Sequence, residues 1–282
     1  MRRSTPSPYC GWHQSMPEVA IRYDDSAAYE RFMGRWSRAV APVFLDWLAP
    51  PMAASWLEVG CGTGICTGLI AERCSPFSIV AVDSSQAQIA HARGLPVGTR
   101  ADFRVADALA LPFPDAAFDV VVSALLINFV QAPAVAVSEM RRVSRAGGVV
   151  AGYVWDFAAE RSPSWPMRTG MRKFGMDTPE IPGRSITGLA ALRGLFERTG
   201  LSEIETRSIE VTQSFTDFDD FWQAQTPGYM PTTRMIGALA DDERQKLKDI
   251  VRAEIPPSPG GGIEYSVRAH AIKGCVPRIR VA

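Results

Sequence analysis

Apolar residues recur along the chain in two different patterns. Between residues 24 and 49 they lie three or four positions apart, which predicts an amphipathic helix that Pro50 and Pro51 end. From residue 52 to residue 156, short continuous apolar runs alternate with segments of helical period. Buried strands that alternate with helices are typical of a parallel sheet covered on both faces. We therefore predict a doubly wound α/β domain with right-handed crossovers.

Five of the apolar runs in this region are predicted strands. They cover residues 55–59, 77–82, 103–106, 118–124 and 149–155. Helices are predicted over residues 64–73, from a cap at Ser84 to Arg93, and over residues 133–144. This alternation of strands and helices is what a parallel sheet requires, because parallel neighbours need crossover connections.

The segments outside this region are less regular. Residues 1–18 hold three prolines and no apolar period, which predicts a disordered tail and leaves open whether Met1 or Met16 is the start. Residues 157–186 are predicted to be an irregular insertion. The remaining predicted elements are a helix over 189–199, a strand over 202–212, a mostly helical stretch over 215–253 broken at Pro227 and Pro231, and a last strand over 263–273.

Composition narrows the class of protein. Hydrophobic residues make up 46% of the chain and charged residues 21%, an ordinary balance for a globular protein. Lys and Arg number 30, as do Asp and Glu, so we expect no general attraction to nucleic acid or to acidic membranes. Zero net charge leaves little repulsion between copies, which is compatible with a homodimer. No apolar run approaches the roughly 18 residues that a membrane helix needs, and none follows Arg3 as a signal peptide would require.

An odd number of cysteines argues against a disulfide framework. The five are Cys10, Cys61, Cys66, Cys74 and Cys275. Three of them crowd into one predicted βα region, and their spacings are not those of a zinc site, so no metal is predicted. Free buried thiols in a reducing cytoplasm fit this pattern best.

A glycine-rich turn joins the first predicted strand to the first predicted helix. Its sequence is Glu58-Val59-Gly60-Cys61-Gly62-Thr63-Gly64. Glycine is needed where φ is positive or where a ligand lies against the backbone, and the start of a helix offers unpaired N–H groups to a polar ligand. The turn therefore predicts a nucleotide-like cofactor.

The spacing of the glycines bears on which cofactor is bound. A dinucleotide fingerprint would place its third glycine at the position of Ile65, but the glycine is Gly64. Asp83 closes the second predicted strand, where a carboxylate accepts hydrogen bonds from a ribose diol, although it could simply cap the next helix. Ribose binding suits NAD and S-adenosylmethionine alike.

Residues 23–156 resemble the class I S-adenosylmethionine-dependent methyltransferases, in particular the small-molecule group called methyltransferase type 11. Five motifs carry the resemblance, in order and at the family's spacing. They are LEVGCGTG at 57–64, VAVDSS at 80–85, ADA at 106–108 with LPF at 111–113, FDVVVS at 118–123, and EMRRV at 139–143 with Gly147-Gly148. Residues 29–37 also resemble the lid helix of a subgroup of this family, and residues 267–274 its closing strand.

The resemblance implies a cofactor contact for each matched position. On the methionine side, the resemblance implies that Glu58 contacts the amino group and that the Ser123 backbone lies near the same amine. Gly60, Cys61 and Gly62 are implied to lie against the methionine and ribose, and Asp83 to bind the ribose hydroxyls. On the adenine side, the implied contacts are Ser84, Asp107 and the Ala108 N–H. Tyr29 and Arg35 are the implied lid contacts, and a solvated helix charge is the alternative for Arg35.

Three residues outside these motifs are predicted to contact the methyl acceptor. Asn128 follows the fourth strand, and Trp155-Asp156 ends the fifth. Ligands of open α/β sheets lie beyond such strand ends, although residues there also cap the sheet. No catalytic base is predicted, because none of the three scattered histidines is convincing and a methyl group on a sulfonium needs no activation.

The combined prediction is a single domain over residues 19–282 with a mostly parallel seven-stranded sheet and an antiparallel last strand. Its parts are N-terminal lid helices (19–51), a cofactor-binding core (52–156), inserts that cap the substrate (157–187 and 214–260), and a last strand with a tail (261–282). The expected function is methyl transfer from S-adenosylmethionine to a small molecule, mainly through positioning. The alternatives are an NAD-dependent oxidoreductase and a non-catalytic S-adenosylmethionine-binding protein.

Overall fold

The structure is a computed structural model that describes residues 30–228, 230–258 and 260–278. These residues separate into two compact units. Of the described residues, the larger unit contains 30–163, 180–213 and 265–278, and the smaller contains 164–179, 214–228, 230–258 and 260–264. The predicted tail over residues 1–18 and the predicted lid residue Tyr29 lie outside the described residues.

Seven strands form one sheet in the order β3-β2-β1-β4-β5-β7-β6. The strands are β1 Ser55–Val59, β2 Ser78–Asp83, β3 Asp102–Val105, β4 Phe118–Ala124, β5 Ser144–Trp155, β6 Ser202–Phe215 and β7 Ile263–Cys275. Neighbours among the first five strands pair in parallel, whereas β7 pairs with β5 antiparallel. The predicted mostly parallel sheet with an antiparallel last strand is confirmed.

Helices occupy the connections between these strands. They are α1 Arg35–Leu48, α2 Ile65–Arg73, α3 Gln86–Gly94, α4 Pro133–Val143, α5 Trp165–Phe174, α6 Leu189–Arg198, α7 Phe218–Gln225, α8 Pro231–Gly237 and α9 Asp241–Glu254. A π-helical turn over Glu30–Gly34 precedes α1. Within the described ranges, no helix is both long enough and apolar enough to cross a membrane.

The middle of the sheet is apolar on both faces because helices cover it from both sides. Val120, Val121 and Val122 of β4 are fully buried, and so are Trp56 and Leu57 of β1. The two strands pair in register, with Trp56 beside Val120 and Leu57 beside Val121. Such a continuous apolar run, rather than an alternating one, is what a doubly covered parallel strand needs.

The two helical layers differ in their partners. On one face, Val137 of α4 and Phe196 of α6 pack in the same core cluster as Val121. A second cluster joins Ile89 of α3 to Phe103 of β3. These layers fix the carboxyl ends of the strands, where loops can hold a ligand.

Helix α1 packs its apolar side into the larger unit. Phe44 lies 4.9 Å from Tyr153 of β5, and Trp36 lies 6.4 Å from Trp155, measured between ring centroids. The helix ends at Ala49, which adopts the left-handed conformation with φ of 48° and donates its N–H to Leu45 O at 3.1 Å. The predicted end before Pro50 is therefore correct.

Strand β5 begins earlier than predicted, at Ser144 rather than at Val149. Its register against β4 shifts, because Ser144 pairs with Phe118 but Val149 already pairs with Val120. Gly147 makes this irregularity possible with φ of 80°. Gly147 therefore lies in a distortion within β5.

The smaller unit contains a helix where the proline-rich sequence predicted only an irregular insertion. Helix α5 packs closely on α9, since a Cβ atom on Gly170 would lie 2.2 Å from Val251 Cγ2. Lys173 pairs with Glu254 at 2.5 Å between Nζ and Oε1. Pro166 does not break α5 because it lies in the first turn, whose N–H groups have no helical acceptor.

Candidate functional site

The glycine turn between β1 and α2 has left-handed backbone at all three glycines. The φ angles are 79° at Gly60, 53° at Gly62 and 84° at Gly64. A Cβ atom on Gly60 would lie 2.7 Å from Leu126 Cδ2, and one on Gly64 would lie 3.2 Å from Phe103 Cζ. A Cβ atom on Gly62 would meet nothing within 4 Å. Gly60 and Gly64 are therefore required by packing, whereas Gly62 faces open space.

This difference predicts unequal effects of alanine. Gly60→Ala should lower the free energy of unfolding by about 2 kcal/mol, because strained backbone and the clash with Leu126 act together. Gly62→Ala should lower it by only about 1 kcal/mol, from backbone strain. Urea unfolding measures both values. Gly68→Ala, inside α2 where there is room for a methyl group, is the control and should be neutral or stabilising. Equal losses at Gly60 and Gly62 would contradict the packing argument.

Asp83 holds the turn from the end of β2. Its Oδ2 accepts a hydrogen bond from the Gly62 N–H at 2.9 Å, and its Oδ1 accepts one from the Ser85 N–H at 2.9 Å. Ser84, the predicted cap, is exposed and does not cap α3. Ser85 caps it instead, by accepting from the Gln88 N–H. The carboxylate thus joins the glycine turn to the start of α3.

Glu58 is a buried acid at the end of β1. Its Oε2 accepts from the Thr67 hydroxyl at 2.5 Å, whereas its Oε1 meets no nitrogen or oxygen donor among the described residues. Burial raises the pKa of the Glu58 carboxyl to about 7. Hydrogen bonds from Thr67 and Cys66 lower the same pKa, but by less than burial raises it. A buried carboxyl with one unpartnered oxygen is suited to a ligand that brings a donor or a positive charge.

A cleft connects Glu58 to the glycine turn. It encloses about 340 Å³, its open mouth included. The lining residues are Ser37, Glu58, Gly60, Cys61, Gly62, Thr63, Ile65, Cys66, Ala124, Leu125 and Tyr153. Glu58, Gly60, Cys61 and Gly62 were predicted to belong to one site, and the structure brings them together.

The thiols beside this cleft are not reactive groups. Cys61, Cys66 and Cys74 are free and buried, as predicted. Burial raises the pKa of each thiol, and the raised value is well above the ordinary range for Cys61 and Cys66. A thiol kept protonated is a poor nucleophile and a poor metal ligand.

The N-terminal segment is fastened to the glycine turn by Glu30. Its Oε1 accepts from the Thr63 hydroxyl at 2.5 Å, and its Oε2 accepts from Arg38 Nη2 at 2.5 Å. Sequence reasoning missed Glu30 and Thr63, since a contact across 33 residues leaves no local pattern. Arg35, a predicted lid contact, is half-buried, and its carbonyl accepts from Gln213 Nε2 at 3.0 Å.

Asp107 and Ala108 follow β3, next to the end of β2. Asp107 is exposed, and its Oδ1 accepts from the Leu109 N–H at 2.9 Å, which closes a tight turn. Ala108 is buried. Neither residue lines the cleft beside Glu58.

Three buried polar atoms lie at the ends of β4 and β5 without a hydrogen-bond partner among the described residues. They are Ser123 Oγ, Asn128 Oδ1 and Trp155 Nε1. Asn128 is held by its other amide atom, which donates to Pro182 O at 3.1 Å. Unpartnered buried polar groups are rare enough to need an explanation, and a ligand is one.

Asp156, predicted to contact the acceptor, has its carboxylate engaged within the protein. Its Oδ2 accepts from Arg268 Nε and Nη2 at 2.8 and 2.6 Å, and its Oδ1 accepts from the Ala159 N–H at 2.9 Å. His270 Nε2 lies 3.5 Å from the same carboxylate. These contacts fix the segment after β5 and leave the carboxylate less available to a ligand.

A comparison with known families agrees with this geometry. Residues 57–152, which contain most of β1, the glycine turn, β2 to β4 and most of β5, match the family described as "Methyltransferase domain". Over this stretch the chain is similar to methyltransferases.

Two relatives and one solved structure illustrate how far this similarity extends. A phosphatidylethanolamine N-methyltransferase of Cereibacter sphaeroides is 38% identical over 125 residues, which cover 42% of this chain and 58% of the relative. A 2-methyl-6-phytyl-1,4-hydroquinone methyltransferase of Synechocystis sp. is 35% identical over 151 residues, which cover 53% of this chain and 45% of the relative. The phosphoethanolamine N-methyltransferase 2 of Haemonchus contortus has a similar fold, with a TM-score of 0.57, 16% identity, and 93% of this chain and 59% of that chain covered.

The similarity covers only part of the chain. The chain spans less than two thirds of the length of either relative, and the matched family region ends at residue 152, before Trp155 and Asp156. Ser37, Cys66, Leu125 and Tyr153 line the cleft but were not predicted. They come from α1, from α2, from the loop after β4 and from β5, and only the fold brings them to one place.

Proposed function

We propose that this protein transfers a methyl group from S-adenosylmethionine to a small organic molecule. The observation that carries the proposal is the cleft lined by Glu58 and Gly62, with Asp83 bonded to the Gly62 N–H. The Asp83 carboxylate holds the Gly62 N–H, and the unpartnered Oε1 of Glu58 lies in the wall of the same cleft. The glycine backbone lets a ligand come close, and the carboxyl groups of Glu58 and Asp83 are near it. This combination suits a ligand that carries ribose hydroxyls and an amino group.

The cofactor contacts in this proposal follow the family's motif positions. Glu58 receives the amino group, Asp83 the ribose hydroxyls, and the backbone of Gly60, Cys61, Gly62 and Ser123 the methionine part. Ser84, Asp107 and the Ala108 N–H receive the adenine, and Tyr29 and Arg35 contribute from the lid. Two observations support the fit: the open space beside Gly62, and the oxygen of Glu58 without a donor.

The protein's part in the reaction is to position the two reactants and to exclude water from them. The bound cofactor supplies an activated methyl group on a sulfonium, so the chain has to align an acceptor with it. Fully buried Trp36 and Trp155 limit access of water at the ends of α1 and β5. Near neutral pH the thiols of Cys61 and Cys66 are protonated and the Glu58 carboxyl, with a pKa of about 7, is only partly ionised, so none of these cleft residues acts as a strong base.

Acceptor recognition is assigned in this proposal to Asn128 and Trp155. Asn128 offers an acceptor oxygen and Trp155 an N–H donor, and both atoms are buried without a partner among the described residues. Asp156 contributes indirectly, because its bonds with Arg268 fix the backbone next to Trp155. A homodimer, a cytoplasmic location and the absence of nucleic-acid binding stay predictions.

Ligand-induced stabilisation tests the cofactor. S-adenosylhomocysteine at about 100 times its dissociation constant should stabilise the protein by about 2.7 kcal/mol, seen as a rise in melting temperature. NADH should give no rise, because Gly64 stands one position short of the dinucleotide spacing. A rise with NADH alone would support the oxidoreductase alternative. Transfer of a labelled methyl group to a panel of phenols, hydroquinones and amines then separates an enzyme from a non-catalytic binder.

A further inference from the structure

Arg142, near the end of α4, reaches the loop between β3 and β4 with its whole guanidinium group. Nη2 donates to Leu111 O at 2.9 Å, and Nη1 donates both to Phe113 O and to Asp115 Oδ1 at 2.8 Å. Nε and Nη2 also donate to the two carboxylate oxygens of Glu139 at 2.7 Å. All three guanidinium nitrogens are thus used, by the loop and by Glu139 together.

Glu139 and the backbone of α4 complete these contacts. Oε2 of Glu139 accepts from the Leu111 N–H at 2.8 Å, so Leu111 is held through both its N–H and its carbonyl. The Ala116 N–H donates to Arg142 O at 3.0 Å, and the Ala117 N–H donates to Val143 O at 2.8 Å. The last turn of α4 therefore anchors the loop at five positions between residues 111 and 117.

The anchored stretch continues directly into the turn that carries Asp107. The Leu109 N–H donates to Asp107 Oδ1 at 2.9 Å, and the Ala110 N–H donates to Asp107 O at 3.1 Å. Ala110 is bonded to Leu111, where the anchor begins. Ala108 and Leu111 are buried in the same core cluster. Every residue from Asp107 to Leu111 is therefore held by a hydrogen bond or by burial in the core.

The Arg142–Glu139 pair is partly shielded from solvent, with the two side chains 31% and 19% exposed. The hydrogen bonds from Arg142 hold the pKa of the Glu139 carboxyl below its usual range, so the pair stays ionised at neutral pH. A nearby surface pair has a different role: Arg145 bonds Asp119 at 2.6 Å. Among the described residues Arg145 makes no hydrogen bond to the stretch 107–117, which makes it a matched control.

We propose that Arg142 and Glu139 are positioning residues for the adenine side of the cofactor site, through the 107–117 loop. This inference rests on the proposed function. The pair would not touch the cofactor; it would hold Asp107 and the Ala108 N–H where they receive the adenine. Loss of the pair should therefore weaken cofactor binding without altering the alignment of the methyl group with the acceptor.

Kinetics and binding of Arg142 variants test this assignment. Arg142→Met should raise the KM for S-adenosylmethionine about tenfold, with kcat changed less than about twofold, because charged hydrogen bonds that order the loop are lost. The KM of Arg142→Lys should lie between those of Arg142→Met and the wild type, since lysine keeps the charge but not the planar guanidinium group. Arg145→Met should bind and turn over like the wild type.

Two ligands separate a positioning role from general damage. By calorimetry, Arg142→Lys should weaken adenosine and S-adenosylhomocysteine by the same factor, whereas Glu58→Gln should weaken only S-adenosylhomocysteine. Wild-type protein that binds neither ligand would overturn the proposed function itself. Wild-type protein that binds both, with Arg142→Lys and Arg142→Met binding equally well, would overturn the positioning role alone. If Arg142→Met does not fold, Arg142→Lys decides.

Discussion

Glu58→Gln should stabilise the cofactor-free protein by about 3 kcal/mol at pH 8 and leave it nearly unchanged at pH 4. The pKa of the buried Glu58 carboxyl is about 7, against 4.5 for the ordinary group. Between these values the folded protein keeps a proton that the unfolded chain has released, so its stability falls as pH rises from 4.5 to 7 and then levels off. A shift of this size corresponds to about 3 kcal/mol. Glutamine is nearly isosteric and carries no charge to bury.

Urea unfolding from pH 4 to pH 8 measures this difference. Glu72→Gln, an exposed substitution on α2, should follow the wild-type curve at every pH. Parallel curves for wild type and Glu58→Gln would show that the carboxyl is ionised in the folded protein despite its burial. Cofactor binding should favour the ionised form of Glu58, because S-adenosylhomocysteine brings an ammonium group. Its binding to wild type at pH 6 should therefore release about one proton to the buffer. Glu58→Gln should release none.

Asp83→Ala should reduce the affinity for S-adenosylhomocysteine by about 100-fold or more. In the proposed function the carboxylate accepts two hydrogen bonds from the ribose, each worth about 1.5–3 kcal/mol to a charged acceptor. The carboxylate also accepts from Gly62 and Ser85, so the substitution leaves two backbone N–H groups without that acceptor. We therefore expect a loss of about 2 kcal/mol in the free energy of unfolding as well.

A cofactor analogue separates these two effects of Asp83. Wild type should bind the 2′-deoxy analogue of S-adenosylhomocysteine much more weakly than the parent, whereas Asp83→Ala should bind the two alike, as a double-mutant cycle requires for a direct contact. Asp102→Ala is the control, because this exposed acid begins β3 and pairs with Arg104. An equal loss from the analogue in wild type and variant would leave Asp83 with only its bonds to Gly62 and Ser85.

The strands were predictable because burial on both faces leaves a continuous apolar run. The limits of β1 and β4 agree with the prediction, and β2 and β3 differ by one residue. Errors arose where a tertiary contact overrides the local pattern. Strand β5 starts early because Gly147 absorbs a change of register, and α5 was missed because its prolines were interpreted as breakers although Pro166 occupies the first turn.

The candidate site was predictable only where its residues are close in sequence. The glycine turn and Asp83 follow a known spacing, and the structure joins them through the Gly62 N–H. Glu30 meets Thr63 across 33 residues, so no window of sequence contains both. Asp156 shows how a distant contact changes the interpretation of a residue whose acceptor contact stays a prediction. Its place after a strand indicated a ligand contact, but Arg268, 112 residues away, occupies its carboxylate.

The close packing of α5 on α9 has a consequence for synthesis of the chain. Lys173 and Glu254, which form an ion pair, are 81 positions apart in the sequence. The absence of a side chain at Gly170 leaves room for Val251. At roughly 5–20 residues per second, a ribosome releases α5 several seconds before α9 exists. During that interval the apolar side of α5, with Met167 and Met171, has no partner helix to cover it. The smaller unit must therefore fold late, after strands β1 to β5 have left the ribosome, and its first helix is the segment most exposed to chaperones and to aggregation.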